Sequence, residues 1–573
     1  MLNSLAFIRP LRFAVSVRFI PVAIWIVCIA AVDPFGNFPL NDDWSYAIAV
    51  QRLLETGQFH PTDWTSTTLL THVLWGALFS LPFGASFVTL RFATIVAGAL
   101  GLWLFGALLR ALGCDRRIAL LASVTLAFNP IFFALSNTFM TDVGFATLTI
   151  GSALLFVRYL HSQRMGYLIA ALVVALAATL LRQLALFLPM AMVVALLLER
   201  PRAARPLRLA VAGVGACAAA IVLLELWFRT HGMLPSTFHT QSEQLVENIE
   251  DFPQRLALIL RHTLVALLYL GWFTFPVLIL RLPGFYRSLR ARWTGTATLA
   301  GMAVLLVSCL ILLTMADRLL PLSENVIVDS GIGPLTLTDA FTLDVAVPSL
   351  PQSFWFIVTA MGLAGGAMLA LEAMFTAIRL VAMFRARKRN PAGLARAFLI
   401  AGVVIYMAPL FVAGYFDRYL LPPAVLLLAL ASMPTPAGTP GAATAFRPFT
   451  LQRPRAMTSL VSLAAFVLMM WFSVGGTHDY LNWNRARWEL VNTLTASGVS
   501  PRMVDGGLEV NGLYLYDPHY RRVPGKSWWW VQSDEYMITF SRLPGYRVDS
   551  SIEVSRWLPP FSSTVFALKR AER

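Results

Sequence analysis

Charge is scarce in this 573-residue sequence: Asp, Glu, Lys and Arg make up 13% of it, about half the share usual in soluble proteins, while 57% is hydrophobic. So few charges cannot cover a water-exposed surface of this size, which excludes a string of soluble domains and leaves a chain that faces lipid over most of its length. Acidic residues are the scarcer sign, 30 against 45 basic, for a net charge of +15. In a soluble protein that excess would suggest nucleic acid, but its distribution, described below, excludes that reading. Cysteine is nearly missing: Cys28, Cys217 and Cys309 fall in apolar runs and Cys114 in a short turn, with no spacing that suggests a disulfide framework or a zinc site.

What is present is a series of apolar stretches, near 13–33, 86–109, 118–137, 142–158, 166–181, 183–199, 209–228, 258–280, 295–315, 353–378, 397–414, 418–433 and 457–474. At ~20 residues per span they predict an all-α polytopic membrane protein with about 13 transmembrane helices. The stretch from Met165 to Arg200 is too long for one span, and Arg182 at its middle marks a hairpin. Taken this way, the connections alternate in charge: one set holds 25 basic and 3 acidic residues, the other 8 and 17, and the tail from about 475 holds 12 and 10. The basic set, with Arg116, Arg117, Arg281 to Arg292 and Arg385 to Arg389, is then cytoplasmic, which puts the N-terminus inside and the tail outside. Arg9, Arg12 and Arg18 before the first run resemble a signal peptide, but no clear A-x-A site follows, so the run reads as an uncleaved first helix.

The expected domains are a membrane module over 1–474, with a first outer loop at 34–85, and a separate α+β domain over 475–573 on the non-cytoplasmic side. In the first loop, Trp44, Ala47, Ile48, Leu53 and Leu54 fit an amphipathic helix that starts at an Asn or Asp cap, stops at Gly57 and lies along the membrane surface. The second outer loop, 229–257, is acidic (Glu243, Glu247, Glu250, Asp251); the third, 316–352, carries Ser, Gly, Pro and Asp; and 434–450 reads as a cytoplasmic linker. In the tail, a helix is expected around 482–496, closed by Gly498, followed by strands at EYMITF and TVFALK. No internal repeat of the transporter type is evident.

Carboxylates beside span ends are costly unless solvated or used. Asp42 and Asp43 stand together after the first span, and Asp142, after Thr141, lies on the same side at the start of the fourth. Each can be read as a helix cap worth ~1 kcal/mol. Capping explains one member of the Asp42–Asp43 pair and explains two less well. The alternative is a general base at a membrane face.

PLNDDWSYAIAVQRLLETGQF resembles the first outer loop of the C-type glycosyltransferase superfamily, in particular its family 39-like enzymes, which include protein O-mannosyltransferases and the lipid A aminoarabinose transferase: Asp42, Asp43, Tyr46, Ala47, Leu54 and Gly57 fill that pattern. NTFMTDVGFATL around Asp142 is similar to the family's second acidic site, LLRQ at Arg182 and Gln183 to its next outer turn, and DRYLLPP with Arg418, Tyr419, Pro422 and Pro423 to its Arg-Tyr-x-x-Pro segment. The tail WNRARWELVNTLTASGVSPRMVDGGLEVNGLYLYD also resembles tails of bacterial members.

The resemblance implies a C-type glycosyltransferase fold in a bacterial inner membrane, acting at the periplasmic face. The implied reaction is inverting transfer of a hexosyl or pentosyl group from a polyprenyl-phosphate-linked donor to a hydroxyl of a periplasmic glycan, lipid or protein. Asp42 is the expected base, with Asp43 and Asp142 orienting hydroxyls. Among the few outer arginines (Arg52, Arg91, Arg182, Arg229, Arg255, Arg261, Arg318, Arg418), Arg182 and Arg418 match family segments and are the expected phosphate ligands; snorkelling or structural pairing is the competing reading. Tyr46, His72, Gln183 and Tyr419 complete the expected substrate-binding set.

The aminoarabinose-type enzymes carry Glu-Lys-Pro later in the first loop; this chain has Thr71 and His72 there. No cofactor is therefore expected as a requirement, and a divalent metal stays open. His72, His231 and His239 can be ordinary loop histidines, and Trp528, Trp529 and Trp530 either a sugar or membrane platform or domain core. The competing functions are a lipid-linked glycan flippase, which would place charges at mid-membrane or show paired broken helices, and a non-catalytic envelope assembly subunit. Partners in either case include membrane lipids and exclude nucleic acid.

Overall fold

The computed structural model describes residues 15–199, 204–235, 252–292, 296–343, 345, 347–386, 390–434 and 456–571. The acidic stretch with Glu243, Glu247, Glu250 and Asp251, His239, and the linker after Pro434 lie outside the described residues. The helices in chain order are α1 (Ile20–Ala31), α2 (Asp43–Thr56), α3 (Leu70–Phe83), α4 (Phe87–Ala111), α5 (Arg116–Ala127), α6 (Pro130–Leu135), α7 (Thr141–Ser162), α8 (Met165–Thr179), α9 (Phe187–Leu197) and α10 (Ala204–Thr230), continuing with α11 (Phe252–Leu278), α12 (Leu282–Arg292), α13 (Thr296–Met315), α14 (Thr338–Phe341), α15 (Gln352–Ala386), α16 (Pro391–Ala413), α17 (Leu421–Ser432), α18 (Ala456–Ala496) and α19 (Leu508–Leu515).

Among the described residues each of the thirteen apolar stretches is helical over most of its length, and seven helices are long and apolar enough by length and composition to cross a membrane, so the chain is a multi-pass membrane protein. The third stretch is not one helix. Asn129 accepts from the Ile131 and Phe132 amides and Pro130 supplies no amide, so α5 ends and α6 begins there. The hairpin at Arg182 is present, with α8 and α9 joined through a 3-10 turn over Gln183–Leu186. The first loop carries α2, which stops at left-handed Gly57 as expected, and the more apolar α3.

Within the bundle α4 packs along α7, α7 along α8, and α9 along α16. The closest crossing joins α11 and α15. A Cβ on Gly271 would stand 2.3 Å from the Gly362 carbonyl oxygen, and one on Gly365 would stand 2.2 Å from that of Gly271, so only small residues let these backbones meet.

The last span and the first tail helix are a single helix. At 1.5 Å per residue, the 41 residues of α18 reach about 60 Å, roughly twice the ~30 Å hydrocarbon layer. The half beyond residue 475 is buried at Tyr480, Trp483, Arg487 and Val491 against the other outer segments. The third outer loop forms the hairpin β1 (Ile327–Val328) and β2 (Gly331–Ile332). The tail forms a sheet of β3 (Val504–Asp505), β4 (Tyr536–Thr539), β5 (Tyr546–Ser555) and β6 (Ser562–Arg570), ordered β3-β4-β6-β5, with β3 and β4 parallel and the other pairs antiparallel. Both strands expected from EYMITF and TVFALK are present, as β4 and β6.

Substitution of Gly365 by Ala should force α11 and α15 apart. The expected loss is ~1–3 kcal/mol, read as a lower melting midpoint of the purified protein; an unchanged midpoint would show that the crossing adapts.

Candidate functional site

The turn that presents the aspartates is built from the backbone outward. Arg91 on α4 donates to the carbonyls of Pro34, Gly36 and Phe38, gathering the chain after α1. Asn41 is left-handed, with φ of 57°, and α2 begins two residues later. Asp42 occupies the cap position of α2 yet makes no capping hydrogen bond. Its Oδ1 accepts from the Trp64 indole at 2.9 Å and its Oδ2 lies 3.3 Å from Arg418 Nη2.

Asp43 does not cap either. Its two oxygens accept from the Leu40 amide at 2.7 Å and the Phe139 amide at 3.0 Å, tying the first loop to the segment before α7. Burial pushes this carboxyl up to about 7, opposed by the two amides and by Arg91. Asp142, in the first turn of α7, pairs with Arg182 Nη2 at 2.9 Å, and Arg182 Nε donates to Thr141. The capping reading therefore fails for all three aspartates, each of which is engaged elsewhere.

The two acidic positions belong to one chain of contacts. The Arg182 and Arg418 guanidinium carbons lie 5.5 and 5.6 Å from the centroid of the Tyr419 ring, which makes the sequence Asp42, Arg418, Tyr419, Arg182, Asp142 continuous. Segments from α2, the start of α7, the α8–α9 turn and the approach to α17 thus meet. Of the two carboxylates in this series of contacts, Asp42 is the more open, with 17% of its side chain exposed against 1% for Asp142. Arg182 Nη1, Arg418 Nε and Nη1, and Asp142 Oδ2 are buried without a hydrogen-bond partner among the described residues.

The remaining expected residues are placed unequally. Tyr46 is buried on α2, edge-on to His72 at 5.9 Å between ring centroids. His72 stacks on Phe139 at 4.0 Å and bonds its carbonyl through Nε2 at 3.0 Å, so its surroundings are those of a packed side chain. Gln183 donates to the Ser66 carbonyl at 3.1 Å, one of several bonds, with Leu69 to Leu181 and Thr71 to Leu180, that hold the first loop on the α8–α9 turn. Among the described residues no three His, Cys, Asp or Glu side chains form a group that could hold a metal ion.

Sequence reasoning missed Trp64, the direct partner of Asp42, and with it an aromatic cluster. Trp44 and Trp64 meet Trp530 at 5.6 and 5.2 Å, and Trp44 meets Tyr516 at 5.3 Å. Trp529 is core, against Phe341, while Trp528 is 40% exposed and 6.1 Å from Trp64. Only the spacing of aromatics in the first loop could have flagged Trp64; nothing local points to its partners some 460 residues away.

Residues 71–227 match the family model described as dolichyl-phosphate-mannose-protein mannosyltransferase. Two crystal structures of ArnT from Cupriavidus metallidurans, one in the apo state and one bound to undecaprenyl phosphate, are similar at 15% identity over 95% of this chain and 97% of theirs, with TM-scores of 0.36 and 0.38. Likeness at that level carries no argument about this chain. Among curated proteins none matches. The matched segment includes His72, Asp142, Arg182 and Gln183, and over it the resemblance to the C-type glycosyltransferase superfamily, read first from the acidic motifs, is met by the mannosyltransferase family model.

Proposed function

We propose that the chain is an inverting glycosyltransferase that moves a sugar from a polyprenyl-phosphate-linked donor to a hydroxyl acceptor. The observation that carries this reading is the partly open Asp42 carboxylate beside guanidinium donors that lack partners. Unpaired buried donors are costly, and a phosphate oxygen is an acceptor that matches a guanidinium. Arg418 can keep Nη2 on Asp42 while either Nε or Nη1, on opposite edges of the guanidinium, donates to a phosphate oxygen; Arg182 Nη1 adds a second cation.

In the proposed step the acceptor hydroxyl attacks the anomeric carbon and its proton passes to the Asp42 carboxylate. The bond from that carbon to the phosphate oxygen breaks, and the lipid phosphate leaves with the negative charge that the two arginines stabilise. Trp64 orients the Asp42 carboxylate through Oδ1, and Asp142 fixes Arg182. Asp43 shapes the turn by its two amide bonds, which differs from the hydroxyl-orienting role the motif implies for it. The proposed division is a catalytic module over 1–474 and a domain over 475–573. In this reading the site faces the periplasm from a bacterial inner membrane, an orientation that the charge bias of the loops supports. A hydroxyl acceptor on an envelope glycan, lipid or protein suits that position.

The test is release of polyprenyl phosphate by the purified protein given a polyprenyl-phosphate sugar and a hydroxyl acceptor. Asp42→Asn should lower kcat by ~10²–10⁴ in protein that thermal melting shows to be folded; wild-type turnover in that variant removes Asp42 from the mechanism. Asp43→Asn should do the reverse in kind. One amide nitrogen would face a backbone N–H, a loss of ~1–3 kcal/mol in stability seen by thermal melting. Arg418→Gln should lower kcat/KM for the donor roughly 10- to 100-fold and weaken inhibition by free polyprenyl phosphate; undiminished inhibition would place the phosphate elsewhere.

A further inference from the structure

One buried carboxylate lies outside the arrangement just described and yet touches it. Glu509, in the first turn of α19, is fully buried, as is Arg487 on α18. Its Oε1 accepts from the Asn41 backbone amide at 2.9 Å. Its Oε2 accepts from Thr336 of the third outer loop at 2.6 Å and from Arg487 at 2.7 Å. The first loop and the third loop, both remote in sequence from the tail, therefore meet the successive helices α18 and α19 at a single side chain.

A buried ion pair is weak evidence for stability, because desolvation offsets its attraction; a use well attested for such pairs is to fix register. The element held in register here is the residue before Asp42. Asn41 is in the left-handed region, and its side-chain amide nitrogen also reaches Asn325 at 3.4 Å. Next to this contact α19 lies on α2 so closely that a Cβ on Gly512 would stand 2.4 Å from the Trp44 ring. The third loop also grips the other partner of Asp42. Asp417, which precedes Arg418, accepts from the Val326 and Ile327 amides at 3.0 and 2.7 Å. Asn325 and Thr336 on one side and Val326 and Ile327 on the other thus tie the Asp42 turn and the Arg418 turn to the same loop.

We infer that Glu509 is a positioning residue: supplied by the tail, it holds the main chain at Asn41 and so sets where the Asp42 carboxylate stands relative to Arg418. The inference rests on Asp42 as the base and adds that the tail domain takes part in aiming it. The main-chain bond to Asn41 acts on position, and the bond to Arg487 acts on stability. The two are separable, because Glu509→Gln keeps an oxygen at full reach for Asn41 and loses the charge, while Glu509→Asp keeps the charge and draws the oxygens back by one methylene.

The experiment uses the full chain in detergent or nanodiscs and reads two quantities. The first, hydrogen exchange over residues 38–46, needs no sugar donor. It should speed up at least ~10-fold in Glu509→Ala and Glu509→Asp and little in Glu509→Gln, with exchange over α7 unchanged. The second is kcat against donor KM. Positioning predicts kcat about 10-fold lower in Glu509→Asp than in Glu509→Gln with donor KM within about 2-fold, although Glu509→Gln has the lower melting midpoint. The opposite order, activity tracking the melting midpoint so that Asp outperforms Gln, overturns the inference, as does wild-type exchange over 38–46 in Glu509→Asp. If Glu509→Ala does not fold, the Gln and Asp pair decides alone. Lack of sugar transfer by the wild-type protein would remove the proposed reaction, and the exchange result would still decide whether Glu509 holds Asn41.

Discussion

Two guanidinium groups share one tyrosine ring, and the site depends on keeping both there. Like charges so close repel, and in a low-dielectric setting the repulsion is large. Each is matched by its own carboxylate, Asp142 for Arg182 and Asp42 for Arg418, and the Tyr419 ring lies between the pairs in the chain of contacts. The four charges cancel, but the hydrogen bonds do not: guanidinium donors remain unpaired. That combination suits a guest that is anionic, rich in acceptor oxygens and able to leave.

The scaffold around these pairs has a consistent logic. Where a backbone must turn beside the site, a buried charged side chain takes up the amides or carbonyls that the turn leaves over. Arg91 gathers three carbonyls after α1, Asp43 takes two amides across two segments, and Asp417 takes amides from the third loop. Irregular backbone at a membrane boundary needs such partners, because lipid offers none.

The helical plan was legible in the sequence because lipid demands runs of a fixed length, and the acidic and basic candidates were legible because charge is rare. Asp42, Asp142, Arg182 and Arg418 could each be picked out by scarcity and motif, and they stand in one contact chain. Sequence reasoning has least to offer where the partner is distant or is backbone. Asp42 and Asp43 look alike beside each other, but one faces Trp64 and Arg418 while the other is spent on two amides. His72 stood out as a titratable group, and the stacked Phe139 ring explains it as packing. Arg91, ranked with the other outer arginines, is taken up by loop carbonyls. Glu509 gave no signal, since an acid in the first turn of a short tail helix is unexceptional until Asn41 is seen against it.

The uninterrupted α18 has a consequence for how such a tail could change over evolution. A flexible joint tolerates inserted residues, but a helix converts each one into a rotation of about 100° and a rise of 1.5 Å. One residue added between the membrane half and Arg487 would swing that guanidinium to another side of the helix, out of line with Glu509. Arg487 is therefore phase-locked to the apolar half of the helix, and a change of length that spares its pairing with Glu509 is easier in the loops that follow Ala496.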